Sequence, residues 1–164
     1  MTVSIVKNSK NNGTGIVAAE SVADILEREM EHLIHDWLML VEKQEDLMAI
    51  PLSREARTGH LPKLLRDVLV RLRLDVGSKA AISIAAGHHG DLRREQGYSV
   101  AMVVEESRLL QVSIFTTLHK NTNRLDYNKL LPDVVTIADE VDAQLKQQML
   151  RYMETNAIET KLGN

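Results

Sequence analysis

The chain has 164 residues, of which 44% are hydrophobic and only 3% aromatic, and 20 basic against 23 acidic residues leave a net charge of −3. Because it contains no cysteine, disulfide scaffolds, cysteine zinc sites and cysteine nucleophiles are excluded. The charge balance and the scarcity of aromatic residues argue against a nucleic-acid surface. They also argue, together with only three prolines, against an all-β sandwich. The length suits one domain.

Targeting and membrane signals are missing from the sequence. A membrane-spanning helix needs roughly 20 consecutive apolar residues, and the apolar stretches here are much shorter. We therefore expect a cytoplasmic protein with no membrane partner. The polar, glycine-containing segment near residues 10–15 predicts a flexible N-terminal arm over residues 1–20, followed by a helical domain over residues 21–155 and a C-terminal tail over residues 156–164.

The first half of the domain shows helical periodicity in two segments. Apolar residues recur every three or four positions over residues 22–48, with Ser21 as N-cap and an end before Pro51. Residues 51–60 are predicted to be a connector with at most one short turn. A second helix begins near Pro62, which suits a first turn, and ends at Gly77.

The second half predicts three further helices. Ser78 is predicted to cap a helix that runs to about Gln96, where Gly97 ends it. Ser99 caps a fourth helix over residues 100–120, and Asp126 or Asn128 starts the last helix, with Pro132 in its first turns. Since no segment alternates as a strand does, we predict an all-α fold with five main helices.

The last helix carries a regular apolar seam. Its members are spaced alternately by three and four residues, as in a coiled coil; they are Leu131, Val134, Ala138, Val141, Leu145, Gln148 and Tyr152. This spacing predicts a homodimer. The alternative is a terminal helix that packs on its own domain.

The sequence has six histidines, which are common ligands of metal ions and of haem iron. Glu29, His32 and His35 offer one possible metal cluster, although a di-iron bundle needs a second Glu-x-x-His on another helix. The neighbours His88 and His89 point about 100° apart on a helix, so one ion cannot easily take both. A single axial histidine could hold a haem, or accept a phosphoryl group. No hydrolase, nucleotide-binding or dinucleotide motif is present, so we expect neither an enzyme nor a cofactor.

Residues 87–110 carry a more specific pattern: a His-Gly pair, an arginine, a helix-ending glycine, a serine cap, and a helix with central glutamates followed by Arg-Leu. These positions are His89-Gly90, Arg93, Gly97, Ser99, Glu105-Glu106 and Arg108-Leu109. The pattern resembles the N-terminal sensory domain of the RsbR/RsbRD type. Leu61-Pro62-Lys63-Leu64-Leu65 is similar to the start of the second helix in that family.

The resemblance implies a globin-related, all-helical input domain that need not hold haem. Such domains signal as dimers through their last helix to a stressosome-type output or a histidine kinase. A non-enzymatic sensor of a small ligand or partner protein is therefore the leading hypothesis, and a haem- or metal-binding globin-like sensor is the alternative. The candidate sensing residues are His88, His89, Arg93, Glu105, Glu106 and Arg108. A buried ion pair between an arginine of the third helix and Glu105 or Glu106 would hold the third and fourth helices together.

Overall fold

The computed structural model of the chain describes residues 19–75, 77–79 and 81–162, with side chains up to residue 154. The helices are α1 (Val22–Arg28), α2 (Met30–Val41), α3 (Glu45–Met48), α4 (Arg54–Thr58), α5 (Leu61–Leu72), α6 (Ile84–Glu95), α7 (Val100–Lys120) and α8 (Tyr127–Leu162). A 3₁₀ turn, Thr122–Arg124, joins α7 to α8. Within the described ranges the only strand-like pairing is an isolated bridge between Glu20 and Leu125, so the predicted all-α class is confirmed.

The first predicted helix is divided into α1, α2 and α3. Ser21 caps α1 as predicted, since its Oγ accepts a hydrogen bond from the backbone N–H of Asp24 at 3.2 Å. The backbone leaves helical geometry at Glu29, where ψ is 7°. The connector before Pro62 contains one short helix, α4, and Pro62 lies in the first turn of α5 as predicted.

The start of α6 differs from the prediction. Ser78 does not cap this helix, which begins instead at Ile84 with Ser83 as its N-cap. The Ser83 Oγ accepts from the backbone N–H of Ala86 at 3.0 Å and donates to Asp67 Oδ2 at 2.5 Å. Because Asp67 belongs to α5, the hydrogen bond from Ser83 joins the start of α6 to α5. The preceding helix also ends early, at Leu72, and Gly77 has a φ of 87° in the loop that follows.

The last two helices agree closely with the sequence. Ser99 caps α7 after Gly97, which has the positive φ of 83° expected at a helix end. Pro132 lies in the early turns of α8. The predicted domain boundary at residue 155 falls inside α8, because the backbone stays helical to Leu162. The predicted arm lies outside the described residues except for Ala19 and Glu20.

The core is aliphatic and is centred on α2, α5 and α7, with Trp37 fully buried. The helix α8 crosses α5, α6 and α7 and comes closest to α6. At Gly90 a Cβ atom would lie only 2.3 Å from the backbone oxygen of Gln148, so this glycine permits the close approach.

The seam on α8 faces largely inwards. Val141 is 2% exposed and Tyr152 is 9% exposed, and the Tyr152 hydroxyl donates to the backbone oxygen of Tyr98 at 2.6 Å. These two positions therefore follow the alternative given for the seam, packing of the last helix on its own domain. Val134, Ala138 and Leu145 are partly exposed. No helix in residues 19–75, 77–79 and 81–162 has the length and apolar character needed to cross a bilayer.

Candidate functional site

A buried ion pair joins α6 to α7. Arg93 Nε lies 2.8 Å from Glu106 Oε2, and the two side chains are 0% and 3% exposed. His89, one turn before Arg93, places its Nε2 3.4 Å from the same carboxylate oxygen. Helical spacing puts His89 and Arg93 on one face of α6, which explains why both reach Glu106.

Arg93 is held in place on several sides. Its Nη1 donates to Gln96 Oε1 at 2.6 Å and to the backbone oxygen of Ala56 at 3.3 Å, and its Nη2 donates to the backbone oxygen of Arg57 at 2.9 Å. The guanidinium carbon also lies 4.7 Å from the centre of the Tyr98 ring, within cation–π range. With the bond from Nε to Glu106, four of the five guanidinium N–H groups donate to acceptors, which offsets the cost of burying this side chain.

A second arginine is buried beside the first. Arg57 Nη1 donates to the hydroxyl of Tyr98 at 2.9 Å and to the backbone oxygen of Leu47 at 3.1 Å. Its Nη2 donates to the backbone oxygen of Ile50 at 2.8 Å. Two arginines and one glutamate thus leave an excess of positive charge in this part of the core.

His60, directly before α5, completes the cluster. Its ring stacks on that of His89 with centroids 3.6 Å apart and planes 11° from parallel. Trp37 meets His60 edge-on at 6.0 Å and donates from Nε1 to the backbone oxygen of Glu106 at 3.1 Å. Trp37 of α2, His89 of α6 and Glu106 of α7 therefore meet around His60.

The protonation states follow from burial and charge. Burial, and then the charges of His89 and Arg93, hold the pKa of His60 well below its usual 6.5. Burial also lowers the pKa of His89, despite the opposing effect of Glu106. Burial raises the pKa of Glu106, but its contacts with His89 and Arg93 outweigh burial and leave that pKa below 4.5. At neutral pH both imidazoles are uncharged and Glu106 is ionised. Burial raises the pKa of Tyr98 to about 12, so its hydroxyl keeps its proton.

The inner face of α8 continues the polar cluster. Glu140, Gln144 and Gln148 are spaced by four residues and are all less than 5% exposed. Gln144 Nε2 donates to Glu140 Oε1 and to the backbone oxygen of Leu64, both at 3.1 Å. A cavity of about 10 Å³ is lined by side chains of α5 to α8 and by His60; its polar lining is His60, His89, Glu106, Ser107, Gln144 and Gln148.

The structure brings together only part of the predicted site. His89, Arg93 and Glu106 meet in the core, and the ion pair expected between the third and fourth helices involves Arg93 and Glu106. His88 is exposed. Glu105 and Arg108 form a separate surface pair, with Arg108 Nη2 2.6 Å from Glu105 Oε1.

Sequence reasoning did not identify His60, Tyr98 or Gln144 as members of this site. His60 and Tyr98 flank helices, and no local pattern marks either of them as part of a polar cluster. Gln144 and Gln148 did leave a signal, because polar residues that lie among the apolar positions of a helix predict a buried polar network.

The other predicted ligand clusters are not assembled for binding. His32 Nδ1 lies 3.2 Å from Glu29 Oε2 with its side chain 84% exposed, whereas His35 Nδ1 lies 3.1 Å from Arg54 Nη2. These two histidines therefore make separate surface contacts. Next to His89 the cavity of about 10 Å³ is far too small for a porphyrin, so the residues around His89 do not fit a haem.

No family model, curated protein or solved structure matches this chain. The chemistry of the site therefore has to be derived from its own residues.

Proposed function

We propose that this chain is a non-enzymatic sensory or regulatory domain whose output is the position of α8. The supporting observation is the row of buried polar side chains on α8, Glu140, Gln144 and Gln148. The two glutamines of this row line the same cavity as His89 and Glu106. A buried ion pair is rarely the most stable solution, since apolar side chains of similar volume often stabilise as well or better. Directional polar contacts instead favour particular arrangements of the helices.

The mechanism requires two arrangements of α8 with similar free energy. A signal that binds one arrangement more tightly shifts the population towards it. Because Gln144 and Gln148 line the same cavity as His89 and Glu106, a change of charge or hydrogen bonding there would reach α8 directly. The backbone of α8 continues to Leu162, so a displacement at Gln144 would be carried along the helix.

The resemblance to the RsbR/RsbRD-type input domain supports the same proposal. It adds a globin-related ancestry, a cytoplasmic location, a small ligand or partner protein as the signal, and a histidine kinase or stressosome-type protein as the output. It also adds homodimerisation. The exposed apolar residues of α8 support a dimer surface that shares only Leu131 with the predicted seam; they are Leu131, Val135, Leu150 and Met153, between 51% and 73% exposed.

Hydrogen–deuterium exchange of Glu106→Gln tests the coupling. This change removes the carboxylate charge but keeps the shape of the side chain. We expect faster exchange in α8 around residues 140–152, where the helix contacts the cluster, as well as in α6 and α7. Glu105→Gln is the matched control, because the neighbouring Glu105 pairs at the surface with Arg108. Altered exchange confined to α6 and α7, with α8 unchanged, would contradict the proposal.

A further inference from the structure

Buried polar atoms without hydrogen-bond partners concentrate at the centre of the cluster. They include Nδ1 of His60, Nδ1 of His89 and Oε1 of Glu106. His89 and Glu106 are 2% and 3% exposed, so water at the surface does not satisfy them. A buried polar atom left unpaired is costly, and in native proteins it commonly has an ordered water, an ion or a ligand as its partner.

The side chains of His60, His89 and Glu106 are also close enough together to share one ligand. One nitrogen of each imidazole and one carboxylate oxygen of Glu106 lie within 4.8 Å of one another. The adjoining cavity of about 10 Å³ matches the space that a single water-sized group occupies. Gln144 Oε1, which also lines this cavity through its side chain and has no partner, supplies a further acceptor from α8.

We propose that His60, His89 and Glu106 form a binding site for one divalent transition-metal ion of the Zn²⁺ type. Two imidazole nitrogens and one carboxylate oxygen are a common ligand set for such ions. The Gln144 carbonyl or a water takes the fourth position. Metal binding does not depend on the proposed output through α8, so the two proposals can fail separately.

The charged side chains around the proposed site affect how it would bind a metal ion. Arg93 occupies Oε2 of Glu106 and leaves Oε1 for the ion, as an outer partner that orients a ligating carboxylate does. The buried charges of Arg93 and Arg57 oppose a cation, and this opposition weakens binding relative to a site without them.

Binding also requires a local rearrangement. An ion lies in the plane of an imidazole that ligates it, and two rings stacked 11° from parallel cannot both point to one ion. At least one ring must rotate, and the ligand atoms must draw together until each is about 2.0–2.2 Å from the metal. The metal-bound state therefore separates the His60–His89 stack.

Metal titration of the full chain tests the inference. The chelator-treated protein is titrated with Zn²⁺ by competition calorimetry and with Co²⁺ by visible absorption. We expect one ion per chain, Co²⁺ bands typical of nitrogen and oxygen ligands, and a Zn²⁺-dependent rise in the thermal unfolding midpoint. His60→Gln and His89→Gln should each weaken binding by at least about 100-fold, more than the loss of an outer partner commonly does.

His88→Gln is the matched control, because His88 is adjacent to His89 but exposed, and it should bind as the unchanged chain does. No saturable binding, or binding that His88→Gln removes and His60→Gln does not, would overturn the inference. The first of these results would leave a water molecule as the partner of the buried atoms.

Imidazole NMR of the unchanged chain avoids any effect of substitution on folding. Zn²⁺ should shift the ring signals of His60 and His89 and leave those of His32, His35, His88 and His119 in place. Shifts confined to these exposed histidines would instead assign the ion to the surface and refute the site.

Discussion

At the residue scale, the ion pair of Arg93 and Glu106 and the surface pair of Glu105 and Arg108 have the same chemistry in opposite environments. The buried pair is 0% and 3% exposed, whereas the side chain of Arg108 is 56% exposed. Water screens the surface pair and lets its members separate at little cost. In the core, loss of one partner leaves the other charged without water.

The first prediction concerns removal of the buried arginine. Arg93→Met keeps much of the volume but strands the Glu106 carboxylate, and we expect a loss of about 3–5 kcal/mol in the free energy of unfolding. Arg108→Met, the control at the surface pair, should cost about 0–1 kcal/mol. Urea unfolding followed by circular dichroism measures both. Equal small losses would show that the core tolerates the unpaired glutamate.

The second prediction concerns the close approach of α6 to α8. Gly90→Ala would place a Cβ 2.3 Å from the Gln148 backbone oxygen, and backbone cannot yield as a side chain does. We expect destabilisation of about 1–3 kcal/mol, typical of overpacking. Gly87→Ala is the control, since its Cβ would meet only Cγ of the flexible Arg151 at 3.2 Å, and alanine favours helix. The idea fails if thermal unfolding finds the two variants equally stable.

At the scale of elements, helix starts depend on contacts as well as on local sequence. Ser21 and Ser99 cap the helices for which they were predicted. Ser78 has the same side chain, and its hydroxyl donates to the backbone oxygen of Asp75 at 2.7 Å. Ser83 is the cap of α6, and it also holds Asp67 of α5. This contact between helices is the feature that distinguishes Ser83 from Ser78.

The third prediction tests which serine starts α6. Ser83→Ala removes an N-cap and the partner of Asp67, so we expect a loss of about 0.5–2 kcal/mol. Ser78→Ala should change the free energy of unfolding much less. Chemical denaturation measures the free energy of unfolding of both variants. A larger loss for Ser78→Ala than for Ser83→Ala would favour Ser78, the residue predicted from the sequence, as the N-cap.

The fourth prediction uses the buried carboxyl of α8. Burial raises the pKa of Glu140 above 4.5, and the charges of Asp67 and Asp139 add to this. Between pH 4.5 and the raised pKa the folded chain binds more protons than the unfolded chain, so stability falls as pH rises. Glu140→Gln should therefore stabilise the protein at neutral pH, and this gain should vanish below about pH 4.5.

Thermal unfolding across pH 4–8 measures this gain. The glutamine retains an acceptor for Gln144, so the hydrogen bond along α8 is kept. Asp142→Asn is a suitable control because Asp142 is exposed on the same helix. A gain that is constant with pH would contradict the role assigned to the charge of Glu140.

At the scale of the whole molecule, association of two chains through α8 depends on which of its residues face the core and which face solvent. Val141 is 2% exposed, so a glutamate there would enter the core rather than a dimer surface. Leu131 and Val135 are 73% and 62% exposed and lie one turn apart. They therefore offer a better test of the proposed homodimer than the buried seam residues Val141 and Tyr152 do.

The fifth prediction is a separation of folding from association. Leu131→Glu with Val135→Glu should leave the thermal midpoint nearly unchanged and weaken self-association in sedimentation equilibrium. Val141→Glu should instead lower the midpoint strongly, because it buries an unpaired charge. Val104→Glu, at an exposed position of α7, serves as control. Unaltered association in the double variant would place the dimer surface elsewhere, and a monomeric unchanged chain would exclude the dimer.

Sequence patterns determined the local features of this protein: the all-α class, the extent of α7, the caps at Ser21 and Ser99, and the pairing of an arginine on the third predicted helix with one of two glutamates. The helices and their caps depend on residues within one or two turns of each other, and helical periodicity records that information directly. The pairing could be anticipated because a short turn keeps α6 and α7 adjacent.

The tertiary structure alone decided which polar residues are buried together. His60 and His89 stack because α5 and α6 meet in space, and Gln144 joins them because Gly90 lets α8 approach α6. It also decided that His89 is buried while His88 is exposed, and that Val141 faces the core. Each of these outcomes depends on how helices distant in sequence are oriented against one another, which a single amphipathic pattern does not specify.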